Sequence, residues 1–214
     1  IEIGIPFSDP VAEGIVIQKA DERALAAGTT TDKIFDMVES IQDKMHVPMV
    51  FMTYANVIFV YGIEKFAKRS KEIGMSGVII PDVPFEEKEE MDSVFSKYDL
   101  DVISLIAPTS HDRIQAIAAE AKGFVYCVSS LGVTGMRSTI NKGVAQMIEQ
   151  VKKTKDIPCA IGFGISTPEQ AKEMSEFSDG VIVGSAIVKL VETYGKECIK
   201  PVSEYVKSMK EAIS

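Results

Sequence analysis

Short runs rich in valine and isoleucine alternate with amphipathic segments along the chain, and that alternation constrains the fold more than any other feature. The apolar runs are Ile1 to Ile5, Pro48 to Tyr54, Gly77 to Asp82, Val102 to Pro108, Phe124 to Ser129, Pro158 to Gly164 and Gly180 to Gly184. Runs of this length without a polar alternate face describe strands buried on both sides, as in a parallel sheet. Between them lie the amphipathic segments Thr31 to Lys44, Ile63 to Ile73, Phe85 to Lys97, His111 to Ala121, Lys142 to Lys153 and Pro168 to Phe177. Parallel neighbours require a crossover and a helix supplies it, so the pattern is repeated βα rather than a sandwich.

Helix starts carry suitable chemistry: Thr31-Asp32, Ser110 and Ser166-Thr167-Pro168 offer caps or a first-turn proline, and Glu169 adds an acid to a first turn. The strand ends run into polar or glycine-rich groups, among them Tyr54-Ala55-Asn56, Pro81-Asp82-Val83-Pro84, Gly162-Phe163-Gly164 and Gly184-Ser185. In a parallel barrel those ends form the active face. The expected fold is an α/β, TIM (β/α)8 barrel, a single domain over residues 1–214. Seven strands fall one short of that barrel, and the chain begins inside a strand without Met. The expectation is therefore a barrel whose first strand-helix unit lies outside this sequence.

Composition narrows the function. The 23 basic and 31 acidic residues give a net charge of −8, which opposes nucleic-acid binding and requires any phosphate to be held locally. No apolar run approaches the roughly 20 residues that span a bilayer, and no signal peptide opens the chain, so a cytoplasmic protein with no membrane partner is expected. Cys127, Cys159 and Cys198 are widely spaced and form no C-x-x-C pair. They suggest reduced thiols, two of them packed in strands, rather than a disulfide framework or metal site.

Two carboxylates stand out against this background. Glu2 lies within the first apolar run, and Glu13 follows in the loop Ser8-Asp9-Pro10-Val11-Ala12-Glu13-Gly14, near enough along the chain to converge on a pocket above the strand's end. Paired acids suit general acid/base chemistry; a solvent-facing edge strand with one more surface acid is the bland counterpart. Glycines where the last two runs turn into helices, with a short helix expected from Ser185, suit a phosphate held by backbone amides. Tight βα turns alone would use the same glycines. Leu131 to Thr139 is a long glycine-punctuated connection suited to a closing lid. Tyr54, Asn56, Asp82 and Tyr126, at or near strand ends, can line a pocket for a flat aromatic substrate.

The segments P-F-S-D-P at residues 6 to 10, Tyr54-Ala55-Asn56, Pro81-Asp82-Val83-Pro84, Gly132-Val133-Thr134-Gly135, Gly162-Phe163-Gly164-Ile165-Ser166 and Gly184-Ser185-Ala186-Ile187-Val188 occur in an order that closely resembles the tryptophan synthase α subunit family. The resemblance runs nearly end to end. It implies a lyase of tryptophan biosynthesis that cleaves indole-3-glycerol phosphate by a retro-aldol step into indole and glyceraldehyde 3-phosphate. No cofactor is expected in this subunit, pyridoxal phosphate belongs to the β partner, and an α2β2 assembly follows. By matching motif, Glu2 falls at the catalytic glutamate and Glu13 at the acid that accepts the indole N–H. Thr134 matches the lid threonine that orients this second acid, and Tyr54 and Tyr126 match pocket walls. Gly135, Phe163, Gly164, Gly184 and Ser185 match the phosphate cradle, while Asn56 and Asp82 match the edge facing the partner.

The sequence departs from the family at the second acid. The family has aspartate where Glu13 stands, so the carboxylate moves by roughly 1.5 Å, and misplacement by about 1 Å can cost on the order of a hundredfold in rate. Gly-Pro is usual where Gly14-Ile15-Val16 occurs, and Ser130 replaces a frequent polar or arginine residue. Alternatives accordingly stay open: a catalytically weak barrel that chiefly activates its β partner, a stand-alone indole-3-glycerol phosphate lyase, or an unrelated phosphosugar barrel. Schiff-base chemistry would want a lysine at a strand end, and none of the seven runs offers one.

Overall fold

The computed structural model describes residues 1–129, 137–162 and 164–214, with side chains at all of these but 111 and 137–142. The chain divides into two compact units, Ile1–Ile103 and Ser104–Ser214.

In the first unit the elements alternate as βα: β1 (Glu2–Gly4), α1 (Ile15–Ala26), α2 (Thr31–Ile41), β2 (Val50–Met52), α3 (Ala55–Tyr61), α4 (Ile63–Glu72), β3 (Gly77–Ile79), α5 (Lys88–Phe95) and β4 (Asp101–Val102). All pairs are parallel in the order β1-β2-β3-β4, with Ile3 opposite Phe51, Phe51 opposite Val78 and Val78 opposite Val102. The helices turn their apolar stripes onto these strands: α2 buries Phe35 and Val38, and α4 buries Phe66 and Ala67. Phe35, Phe51, Phe66 and Phe95 are completely buried. The Phe35 ring lies 5.1 Å from Phe51 and 5.2 Å from Phe66 in tilted and edge-on contacts, the arrangement aromatic quadrupoles favour. The cap of α2 is Thr30, whose hydroxyl accepts from the Lys33 amide at 3.3 Å, one residue before the expected Thr31.

The second unit repeats the plan with β5 (Ser104–Ile106), α6 (Ile114–Glu120), β6 (Val125–Val128), α7 (Arg137–Thr154), β7 (Cys159–Gly162), α8 (Pro168–Ser175), β8 (Gly180–Val181), α9 (Ser185–Tyr194) and α10 (Ile199–Ala212). Its parallel order is β5-β6-β7-β8. Helix α7 buries Val144, Met147, Ile148 and Val151, an i, i+3, i+4, i+7 stripe. Cys127 and Cys159 are fully buried on β6 and β7. The Cys127 thiol is pushed up by its contact with Cys159 and by burial, as packing residues require. Helix α8 starts at a capping box: the Thr167 hydroxyl accepts from the Gln170 amide, the Gln170 side chain accepts from the Thr167 amide, and Pro168 follows the cap.

Three expectations need correction. The run Val102 to Pro108 is not one strand: β4 pairs with β3 and β5 with β6, and the Ile103 amide between them donates to the Val78 carbonyl. Apolar composition cannot show that one run changes partner midway. Ser110 does not cap α6, because it sits within the 3-10 turn Pro108–Arg113, where its hydroxyl accepts from the Ala107 amide. Helix α7 begins at Arg137, so the end of the expected lid, Arg137 to Thr139, is helical; residues 131–136 lie outside the described residues.

Candidate active site

Strand β1 carries Glu2 opposite Val50 of β2, in a half-buried position. Burial pushes its carboxyl up to about 7, against the opposing pull of the Ile1 ammonium. A carboxyl that titrates near neutrality can both give and take a proton, so this acid suits reversible proton transfer.

The chain leaves β1 through Pro6 and Phe7 and folds the loop over Tyr54, the residue preceding α3. Tyr54 is 3 % exposed. Its hydroxyl accepts from the Val11 amide at 3.1 Å and the Ala12 amide at 2.9 Å, and donates to the Glu13 carboxylate. Burial and then the bond to Glu13 hold the Tyr54 hydroxyl well above its usual range, so it remains a donor. The Phe7 ring packs on the Tyr54 ring at 5.2 Å. Helix α1 completes the surroundings: the Gln18 side-chain amide donates to the Glu13 carbonyl at 2.8 Å, and Asp21 stands one turn further along the same helix. Burial, then the charge of Glu13, pushes the Asp21 carboxyl up to about 6, with the Phe7 amide opposing them.

Asp21 went unremarked in the sequence, although a signal was present. It stands on the i, i+3, i+4, i+7 stripe Ile17, Ala20, Asp21, Ala24 of α1, where the other three positions are apolar and all four are partly buried. An acid on an inward stripe needs a partner.

The remaining expected residues of the first unit divide. Asp82 is exposed, and both its oxygens accept from the Ala55 amide, at 3.0 and 3.3 Å, so it caps the start of α3. Asn56 is exposed one residue further on and helps line an open cavity of about 320 Å³ with Pro6, Leu25, Val57 and Val60. Val60 is 80 % exposed, so this surface presents apolar side chains to solvent.

In the second unit Tyr126 is buried on β6 beside Gly162 of β7. A β-carbon at 162 would come within 2.2 Å of the Tyr126 hydroxyl, so glycine there makes room for the tyrosine. Gly164 has φ +76°, a left-handed turn after β7 that glycine allows. Gly184 precedes α9 and Ser185 opens it; both are exposed, and no side chain bonds the helix start. The first amides of a helix have no partner within it. Thr134, Gly135 and Phe163 lie outside the described residues.

Parallel βα units bearing a half-buried carboxyl on one strand, with a second acid bonded to the tyrosine beyond the end of the neighbouring strand, define a barrel-type acid/base enzyme. The family model for the tryptophan synthase alpha chain matches residues 1–214. The alpha chain of Lacticaseibacillus casei is 46% identical over 213 residues, which is 100% of this chain and 80% of that one. The solved alpha subunit of Campylobacter jejuni superposes with a TM-score of 0.87 at 33% identity, covering 95% of this chain and 82% of that one. A chain of the tryptophan synthase complex from Pyrococcus furiosus also gives 0.87, at 30% identity over 98% of this chain and 85% of that one. The chain belongs to the tryptophan synthase alpha chain family, and its fold class is the α/β, TIM (β/α)8 barrel. No helix among the described residues is long and apolar enough to cross a membrane.

Proposed function

We propose that the chain cleaves indole-3-glycerol phosphate to indole and glyceraldehyde 3-phosphate, with Glu2 as the proton shuttle and Glu13 as the second acid. Protonation of indole C3 and loss of the nitrogen proton give an indolenine. Removing the proton from the hydroxyl on the adjoining carbon then forms the aldehyde carbonyl as the carbon-carbon bond breaks. The electron pair returns to the ring, and the nitrogen regains its proton. Glu2 gives the proton to C3 and takes the hydroxyl proton, two roles that a carboxyl titrating at about 7 fills alternately. Glu13 accepts the indole N–H while the Tyr54 hydroxyl fixes its orientation. The placement of Glu2, half-buried on β1, together with the Tyr54 hydroxyl bonded to Glu13, is the observation that carries the reading.

The phosphate falls to the amides at Gly164, Gly184 and Ser185; the family match assigns Phe163 and Gly135, outside the described residues, to the same cradle. A β-carbon at Gly164 or Gly184 would meet nothing within 4 Å, so the backbone there is open to an anion. The unpaired amides and positive end of α9 favour negative charge. By the same family match Tyr126 is assigned to the pocket wall and Thr134 to the lid threonine. The barrel acts as one domain over residues 1–214, without a cofactor of its own, in the cytoplasm. Its partner is a tryptophan synthase β subunit carrying pyridoxal phosphate in an α2β2 assembly, approached through the apolar surface around Asn56 and the edge at Asp82.

The test is indole release from indole-3-glycerol phosphate, with and without the β subunit, for the native chain, E2Q and E13D. Robust native turnover that E2Q abolishes is expected. Unchanged turnover in E2Q would overturn the assignment, and turnover only in E13D would favour a barrel retained for partner activation.

A further inference from the structure

The peptide that joins Glu13 to Gly14 is held by one residue of α1. The Gln18 side-chain amide donates to the Glu13 carbonyl at 2.8 Å, and the Gln18 backbone amide donates to the Gly14 carbonyl at 3.1 Å, which also takes the Ile17 amide at 3.0 Å. Gly14 is the cap residue of α1 and has no side chain to bond the helix start. The side-chain tie between the entering chain and the helix therefore comes from Gln18, inside the helix, rather than from the cap. Gln18 is rooted in an ordered turn, since its own amide is already bonded to Gly14, and both Gln18 and Glu13 are half-buried.

On the other side Glu13 meets Tyr54. The Ala12 amide, one residue before Glu13, donates to the Tyr54 hydroxyl at 2.9 Å, and the same hydroxyl donates to the Glu13 carboxylate. Bonds to elements outside the loop thus bracket a single residue: Tyr54 takes the amide before it and gives to its carboxylate, and Gln18 gives to its carbonyl. Both Tyr54 bonds converge on one oxygen, about which Glu13 would be free to turn with both kept. A carbonyl fixed from α1 removes that freedom. We propose that Gln18 is a positioning residue for the reaction, holding the Glu13 backbone so that the carboxylate leaves the Tyr54 hydroxyl in one orientation toward the substrate. Gln18 gives and takes no proton in this scheme and acts through Glu13.

This inference rests on the reading of Glu13 as the second acid, and the experiment separates the two. Indole release from indole-3-glycerol phosphate is measured for Q18M, E13Q, the Q18M/E13Q pair and K19G. Methionine keeps the length and the helix preference of glutamine and loses the donor. A carboxylate misplaced by about 1 Å predicts that Q18M lowers kcat by on the order of 10- to 100-fold, with KM changed less than about threefold. In the E13Q background the same substitution should cost no more than about twofold, because the carboxylate it positions is already gone. K19G is the control for a loosened helix: Lys19 is exposed in the interior of α1, and glycine there weakens the helix while leaving the Gln18 donor in place, so kcat should stay within about twofold of native. Equal cost of Q18M in both backgrounds, or a K19G as slow as Q18M, overturns the proposal. If Q18M does not fold, Q18A takes its place in the cycle. An E13Q as fast as the native chain would instead refute the acid role on which the proposal rests, and the proposal with it.

Discussion

Replacing Glu2 with glutamine separates the chemistry of this carboxyl from its packing. The side chain keeps its shape and loses its titration. In the fold the carboxyl titrates at about 7 and in the unfolded chain near its ordinary 4.5, a gap of about 2.5 pH units that corresponds at the limit to roughly 3 kcal/mol. Glu2 is half-buried, and the water it retains reduces this to about 1–2 kcal/mol. The sign follows from proton binding: between the two values the folded form holds the proton more tightly. The contribution is therefore fully present below 4.5 and is lost as pH rises through 7. E2Q and the native chain should have similar pH dependence below 4.5. Between pH 5 and 8.5 the stability of E2Q should gain about 1–2 kcal/mol relative to native. Urea unfolding followed by circular dichroism at several pH values measures this, since the Asp21 contribution is common to both and cancels. The same E2Q samples should release indole at least about a hundredfold more slowly, the lower range for a lost general acid/base. A stability difference that does not vary with pH would refute the burial argument, even if activity fell.

Y54F removes the hydroxyl shared by Val11, Ala12 and Glu13; stability should fall by about 1–3 kcal/mol in urea unfolding, with a drop in kcat larger than any change in KM. G162A puts a β-carbon against the buried Tyr126 hydroxyl, and about 1–3 kcal/mol of overpacking should lower Tm by several degrees in calorimetry. G184D places a carboxylate at the proposed phosphate cradle, so KM for indole-3-glycerol phosphate should rise at least about tenfold in steady-state assays while the fold remains intact, because a β-carbon there meets nothing within 4 Å.

What the sequence made legible follows the strength of the periodic signal. The burial of Phe51, Val78, Cys127 and Ile161 on both sides of their sheets produces continuous apolar runs, and such runs announce parallel strands. The i, i+4 pattern of α4, with Phe66, Ala67 and Ser70 inside, was equally plain. The division at Ile103 was not, because a change of hydrogen-bonding partner alters no side chain. Helices α1, α3 and α10 escaped notice. Helix α1 has no residue fully buried, and α3 is only seven residues long and begins directly at a strand end. Glu2 was visible as a charge in an apolar run. Asp21 required the third dimension, since what sets it apart is burial and the nearby charge of Glu13, eight residues back along the chain. Asp82 was singled out at a strand end, but its bond to the Ala55 amide could not be read from spacing.

The departures around Glu13 make sense together. Ile15 is the first residue of α1, a position where proline's fixed φ would preorganise the helix start and no amide partner would be lost. Without proline, the turn needs other constraints. The Ile17 and Gln18 amides donate to the Gly14 carbonyl at 3.0 and 3.1 Å, and the Gln18 side chain reaches back to the Glu13 carbonyl. These bonds fix the backbone on both sides of the peptide joining Glu13 to Gly14. The longer glutamate then extends to the Tyr54 hydroxyl, whose own place is set by two loop amides. An aspartate on this backbone would fall short of that hydroxyl by roughly the length of one methylene, so the added carbon is what brings the carboxylate to Tyr54. The rate of E13D measures whether this reach matters for the acid role proposed for Glu13.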